Sequence, residues 1–124
     1  MKYTIAEISA SLEAAYYQLR QVSEWVHEWT GTVANAERAL ADRKAFIISE
    51  HADDPKALGS NEAARAATID AMCVPEREAL RKALDTLRGH RHAQEQARLE
   101  VDLWRAQVRC AVVATAARGG LVEA

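Results

Sequence analysis

The sequence predicts an all-α protein: an antiparallel hairpin of two long helices joined by a short helix, assembling as a coiled-coil or helical-bundle oligomer. Three observations carry this. Alanine supplies 26 of the 124 residues and, with Glu, Leu and Arg, makes the material of long helices. Five Gly and two Pro are too few for a sandwich or barrel, which turns every ten residues or so. Apolar residues recur every seven positions over long stretches, the mark of a coiled-coil seam. The chain has the length of one domain, 1–124, and its 49% hydrophobic content is too high for disorder.

The first helix starts at a marked point. Thr4 and Glu7 stand three residues apart as a capping box, with Tyr3 and Ile8 in the flanking staple positions. Ile5, Leu12, Leu19, Val26, Val33, Leu40 and Ile47 then fall every seven residues, as a positions. Ile8, Ala15, Val22, Trp29 and Ala36 fall three residues later, as d positions. Gly31 is the obvious place for a break, and two helices meeting there are the alternative. The phase argues for continuity, because Val26 to Val33 keeps register across the glycine. The helix is therefore expected over about 5–51, roughly 70 Å long at 1.5 Å per residue. Near its end Arg43 and Glu50 replace d residues. There the stripe either widens to Ala45, Phe46 and Ile48 or meets a different partner.

Asp53-Asp54-Pro55 stops this helix, since Pro lacks an N–H and restricts the residue before it. Leu58-Gly59-Ser60-Asn61 reads as a turn, with Ser60 or Asn61 capping a short helix from Glu62 to about Met72. The connection thus covers about 53–73. Its helix offers mostly Ala with Ile69 and Met72, so it needs a surface to lie on. Pro75 and Glu76 suit the start of a second long helix, expected over about 76–117 and ended by Arg118-Gly119-Gly120. Its stripe reads Leu80, Leu84, Leu87, then Ala97, Val101, Trp104, Val108, Ala111 and Thr115. The two parts connect through His90 and Gln94 only with successive steps of three. Such a stammer predicts a kink near Gly89-His90.

Two long helices with a short connection pair antiparallel. A lone hairpin leaves Trp25, Leu99, Leu103 and Val112 wet, so a homo-oligomer is expected, a dimeric four-helix arrangement being the default. Leu12, Leu19, Val26, Trp29, Val33 and Leu40 of the first helix, with Val101, Trp104 and Val108 of the second, are the candidate core or oligomer seam.

Chemistry finds little footing. Glu24-x-x-His27 matches one ExxH element of di-metal bundles, but that site needs two with two further Glu, and these residues fall on the outer face. His90 and His92 point about 200° apart in a helix and cannot chelate together. No GxSxG, P-loop or HExxH is present. Cys73 and Cys110 lack CxxC spacing and read as small packing residues. No catalytic residue, metal or cofactor is expected. The longest apolar run, Cys110 to Ala117, falls far short of the roughly twenty residues of a membrane span. Lys2 is followed by a polar amphipathic pattern, unlike a signal peptide. A cytoplasmic protein that does not engage membranes is the expectation.

Charge gives one further surface. The net charge is −2, with residues 1–60 at −3 (six basic, nine acidic) and 61–124 at +1 (ten basic, nine acidic). Arg81, Arg88 and Arg91 sit in a basic stretch, 77–92, and Arg98, Arg105 and Arg109 share one side of the second helix. This face can meet phosphates or a partner protein. It can also pair with Glu24, Glu28 and Glu37 of the first helix, which the overall acidity favours.

Leu58-Gly59-Ser60-Asn61-Glu62-Ala63-Ala64-Arg65 and Ala97-Arg98-Leu99-Glu100-Val101-Asp102-Leu103-Trp104-Arg105 frame a wider pattern. A long N-terminal helix, a turn-helix carrying Gly59, Asn61 and Arg65, and a long Arg/Glu-rich helix resembles small helical coiled-coil proteins of tailed phages and prophages. Those are often encoded near single-strand annealing or single-strand binding genes. The resemblance covers most of the chain and implies a phage setting with a DNA-recombination or replication context. It implies no catalytic residue. The expected function is a non-enzymatic oligomeric scaffold or adaptor for an unidentified protein partner. The alternative is direct nucleic-acid binding through the Arg-rich face.

Overall fold

Four helical elements follow one another: α1 (Ile5–Glu50), a 3-10 turn (Pro55–Leu58), α2 (Glu62–Met72) and α3 (Val74–Glu123). The computed structural model describes residues 3–123, the last five by backbone alone. Among the described residues there is no strand.

Helix α1 begins at the capping box. The Thr4 N–H donates to Glu7 Oε2 at 3.4 Å and the Glu7 N–H donates to Thr4 Oγ1 at 3.1 Å. It satisfies two N-terminal donors that have no partner inside the helix. Tyr3 does more than flank Ile8, for its ring meets Trp104 edge-on at 5.2 Å between centroids. The helix runs through Gly31 without a break. Nothing lies within 4 Å of the position a Cβ would take there.

The chain divides into two units: Met1–Val26 with His90–Ala124, and His27–Gly89. In the first, Tyr3 meets Trp104, Ser23 accepts a 3.1 Å hydrogen bond from Gln94, and Trp25 tilts against His90 at 5.4 Å. Partners advance along α1 while retreating along α3, so the two segments are antiparallel. The core is a single file: Ile8, Ala15 and Val22 from α1, with Ala97, Val101 and Ala111 from α3. Alanine at half of these positions lets the backbones approach closely.

The second unit adds a layer. Ile47, Leu58 and Cys73 form a buried cluster, with Leu40 and Ile69 packed on it. This answers the choice left open at the end of α1. The stripe does not widen, since Ala45, Phe46 and Ile48 are exposed. It meets a different partner, the connection. Asn61 caps α2, its Oδ1 accepting from the Ala64 N–H at 2.8 Å. The turn before it needs glycine. A Cβ on Gly59 would stand 2.7 Å from the Arg65 nitrogen and 2.8 Å from the Ala64 carbonyl carbon. The missing apolar d residue at Arg43 is replaced by an ion pair, with Nε 4.0 Å from Glu76 Oε1, and Lys44 lies 3.4 Å from Asp70.

Burial changes rows along α1. The deepest residues in the first unit are d positions, Ile8, Ala15 and Val22. In the second they are a positions, Val33 and Ile47. An α-helix drifts about 20° per heptad against a seven-residue repeat. A row that faces inward at one end is therefore turned aside several turns later, and its neighbour takes its place.

Helix α3 corrects three expectations. It starts at Val74 and continues through Gly119 and Gly120 to Glu123, because the i to i−4 backbone ladder persists despite about 1 kcal/mol of propensity lost at each glycine. It also runs unbroken through Gly89. The expected stammer came from counting Leu84 as a core residue. Leu84 is 38% exposed and Ala83 only 4%. With Ala83 in the file, Leu80, Ala83, Leu87, His90, Gln94, Ala97, Val101, Trp104, Val108 and Ala111 alternate steps of three and four without interruption. A buried methyl on a closely packed face outranks a larger side chain on the wrong one.

Candidate interaction surfaces

The proposed seam residues all turn inward to some degree. Val33 and Val101 are buried, while Leu12, Leu19, Val26, Trp29, Leu40, Trp104 and Val108 are half-buried. In the first unit Val101 belongs to the central file itself, and Leu12, Leu19, Val26, Trp104 and Val108 are less deeply buried than that file. Trp104 also donates its indole N–H to Glu100 Oε1 at 3.0 Å. Leu40 packs on the cluster of Ile47, Leu58 and Cys73.

Outside that contact each unit keeps large apolar side chains on its surface. In the first they include Ile5, Tyr17, Leu99, Leu103, Val112 and Val113. An apolar groove of about 580 Å³ lies there, lined by Ile5, Ile8, Leu12, Val108, Ala111 and Val112 among others. The second unit exposes Phe46, Ile48, Met72, Val74 and Leu84. Its own groove, about 390 Å³, is lined by Ile48, His51, Pro55, Leu58, Arg65 and Ile69 among others. No family model, curated protein or solved structure matches the chain.

The arginines divide into two sets. All six are exposed. Arg81 bonds Glu78 (Nε to Oε2, 3.0 Å) and Asp85 (2.9 Å), Arg88 bonds Asp85 at 3.2 Å, and Arg98 bonds Glu95 at 3.3 Å. The Arg81 hydrogen bond holds the Glu78 carboxyl below its ordinary pKa, and the same bond raises that of Arg81. Arg91, Arg105 and Arg109 have no ion pair among the described residues. Among the described residues of the first unit, Glu24 forms no ion pair with Arg98, Arg105 or Arg109. Ion pairs between elements run in the opposite sense, with Arg43 and Lys44 of α1 meeting Glu76 and Asp70. Which side chains face each other decides these pairs, and net charge per half does not.

The histidines and thiols fall into packing roles or onto the surface. His90 packs on Trp25, and His51 Nδ1 lies 2.9 Å from the Ile47 carbonyl. Glu24, His27 and His92 are exposed. Among the described residues no group of three or more His, Cys, Asp or Glu is placed to hold a metal ion. Cys73 is fully buried, whereas Cys110, expected to be a packing residue, is exposed. No described helix is long and apolar enough to cross a membrane.

Sequence reasoning passed over one arrangement. Leu99, Leu103, Ala106, Cys110, Val113 and Ala117 follow one another in steps of four, three, four, three and four. That is a second heptad pattern, on the side of α3 opposite Val101. The spacing was readable, but the stronger inward file through Val101 and Val108 overlaps it in sequence and absorbed the attention.

Proposed function

We propose that this protein is a non-enzymatic helical scaffold or adaptor that works as a homo-oligomer in the cytoplasm and presents its outer faces to a protein partner. The observation that supports this is the apolar surface that each unit leaves uncovered, Leu99, Leu103 and Val113 in one and Phe46, Ile48 and Val74 in the other. Exposed apolar rows of this kind mark association surfaces. The resemblance to small helical phage and prophage proteins suggests a role accessory to DNA recombination or replication in the host cell. Light scattering tests the oligomer. The expected result is a multiple of 13.7 kDa that persists as salt is raised. A monodisperse monomer at tens of micromolar overturns the reading.

A second reading draws on Arg91, Arg105 and Arg109, exposed and without ion pairs among the described residues. Such a row suits phosphate contacts, and binding to DNA would fall steeply with salt. Titration with labelled single- and double-stranded DNA at about 50 mM and 200 mM salt separates the readings. Absence of any binding at the lower salt removes the second.

A further inference from the structure

The outward row of α3 has the internal grammar of a coiled-coil seam. Leu103, Cys110 and Ala117 occupy one set of positions, and Leu99, Ala106 and Val113 the other. Leu99, Leu103 and Val113 are 52%, 51% and 68% exposed, so no described residue covers them. The flanks decide what fits. Glu95, Asp102 and Arg109 line one side of the row, and Glu100 and Gln107 the other. Asp102 and Arg109 are exposed and have no ion pair among the described residues.

We propose that this row is an interface between two copies of the chain, in which the α3 segment around residues 99–113 pairs antiparallel with the same segment of a second copy. The proposal rests on the oligomeric reading above and gives it a contact. In one register every layer sets a large residue against a small one. Leu103 meets Ala106 of the second copy, and Leu99 meets Cys110. Two-fold symmetry repeats both layers, and Val113 closes each end over the stem of Gln96. The same register places Asp102 opposite Arg109 twice, because antiparallel helices bring like flanks together. Sliding by one heptad in one direction sets Arg109 against Arg109; in the other it brings Glu95 opposite Arg109 but sets Asp102 against Asp102 and packs Leu99 on Leu103. A parallel pair sets Glu95 against Glu100, stacks Leu on Leu and Ala on Ala, and gains no ion pair. Only the first register combines large-on-small layers with opposite charges and sets no like pair face to face on this flank.

Thiol chemistry tests the geometry on the full chain. Leu99→Cys places a thiol opposite the native Cys110 of the second copy. Within one chain these positions are about 16 Å apart along the helix and cannot join. Mild oxidation, or a short thiol-specific cross-linker, is expected to convert Leu99→Cys to a covalent dimer. The unmutated chain and Leu99→Cys/Cys110→Ser should stay uncross-linked. Arg109→Asp and Asp102→Arg should each raise the dimer's dissociation constant on the order of tenfold, with like charges now facing twice. The double exchange should restore it. All these positions are exposed, and circular dichroism confirms that each variant keeps its helix. A Cys110–Cys110 cross-link in the unmutated chain overturns the antiparallel arrangement. An oligomer that neither cross-links through Leu99→Cys nor responds to the charge exchange overturns this seam and leaves the scaffold reading standing. A monomer overturns both.

Discussion

Between residues 27 and 89 the long helices pack with a third element, whereas in the unit of 3–26 and 90–123 they have only each other. The consequence is visible in the cores. The three-element unit closes a cluster of Ile47, Leu58 and Cys73 beneath its connection. The two-helix unit closes one file, and half of that file is alanine. A helix pressed against a single neighbour can bury only a narrow stripe. What remains apolar outside it, such as Leu99 and Leu103, is left for another molecule.

The largest expected effect probes this difference directly. Ile47→Ala should cost about 3–4 kcal/mol, within the range for large-to-small changes in closed cores. Ile8→Ala should cost about 1 kcal/mol less, because Ile8 lines an open groove where the surroundings have less to lose. Urea titration followed by circular dichroism measures both, and equal losses would break the comparison. Gly59→Ala comes next, at about 1–3 kcal/mol, since the added methyl meets Ala64 and Arg65 backbone. Faster amide exchange in α2 would report it, and unchanged exchange would contradict the close approach.

Asn61→Ala should cost about 1 kcal/mol through loss of the α2 cap. Gly31→Ala and Gly89→Ala should instead stabilise by up to about 1 kcal/mol each, since both glycines sit in continuous helix with open space at the Cβ. A loss of stability at either would mean that the helix is not continuous there. The smallest effect belongs to Glu78. Its carboxyl is held below the ordinary value by Arg81, so its contribution is present above the unfolded-state pKa and fades as pH falls through the folded one. Glu78→Gln should flatten the acid limb of the stability profile slightly, and an unchanged limb would show the pair to be inert.

Much of this was legible in the residues. The capping box at Thr4, the unbroken register across Gly31 and the span of α2 all follow from local chemistry or from a period that tolerates no slip. The misreadings share one cause. Ranking residues by hydrophobicity chose Leu84 over Ala83, and with it a stammer in the file near Gly89, where the helix is unbroken. Summing charge by halves predicted ion pairs of the wrong sense, because Arg43 and Lys44 act through their immediate neighbours. The outward row on α3 was hidden because two heptad patterns share one stretch of sequence, and burial is what separates them.

The central claim is that apolar rows left outside the two-helix stripe hold chains together. Light scattering on the unmutated protein and Leu103→Glu, side by side at the same concentration, tests it most directly. The account predicts a multiple of 13.7 kDa for the first, a smaller mass for the second, and the same helix content in both. Equal masses would contradict it.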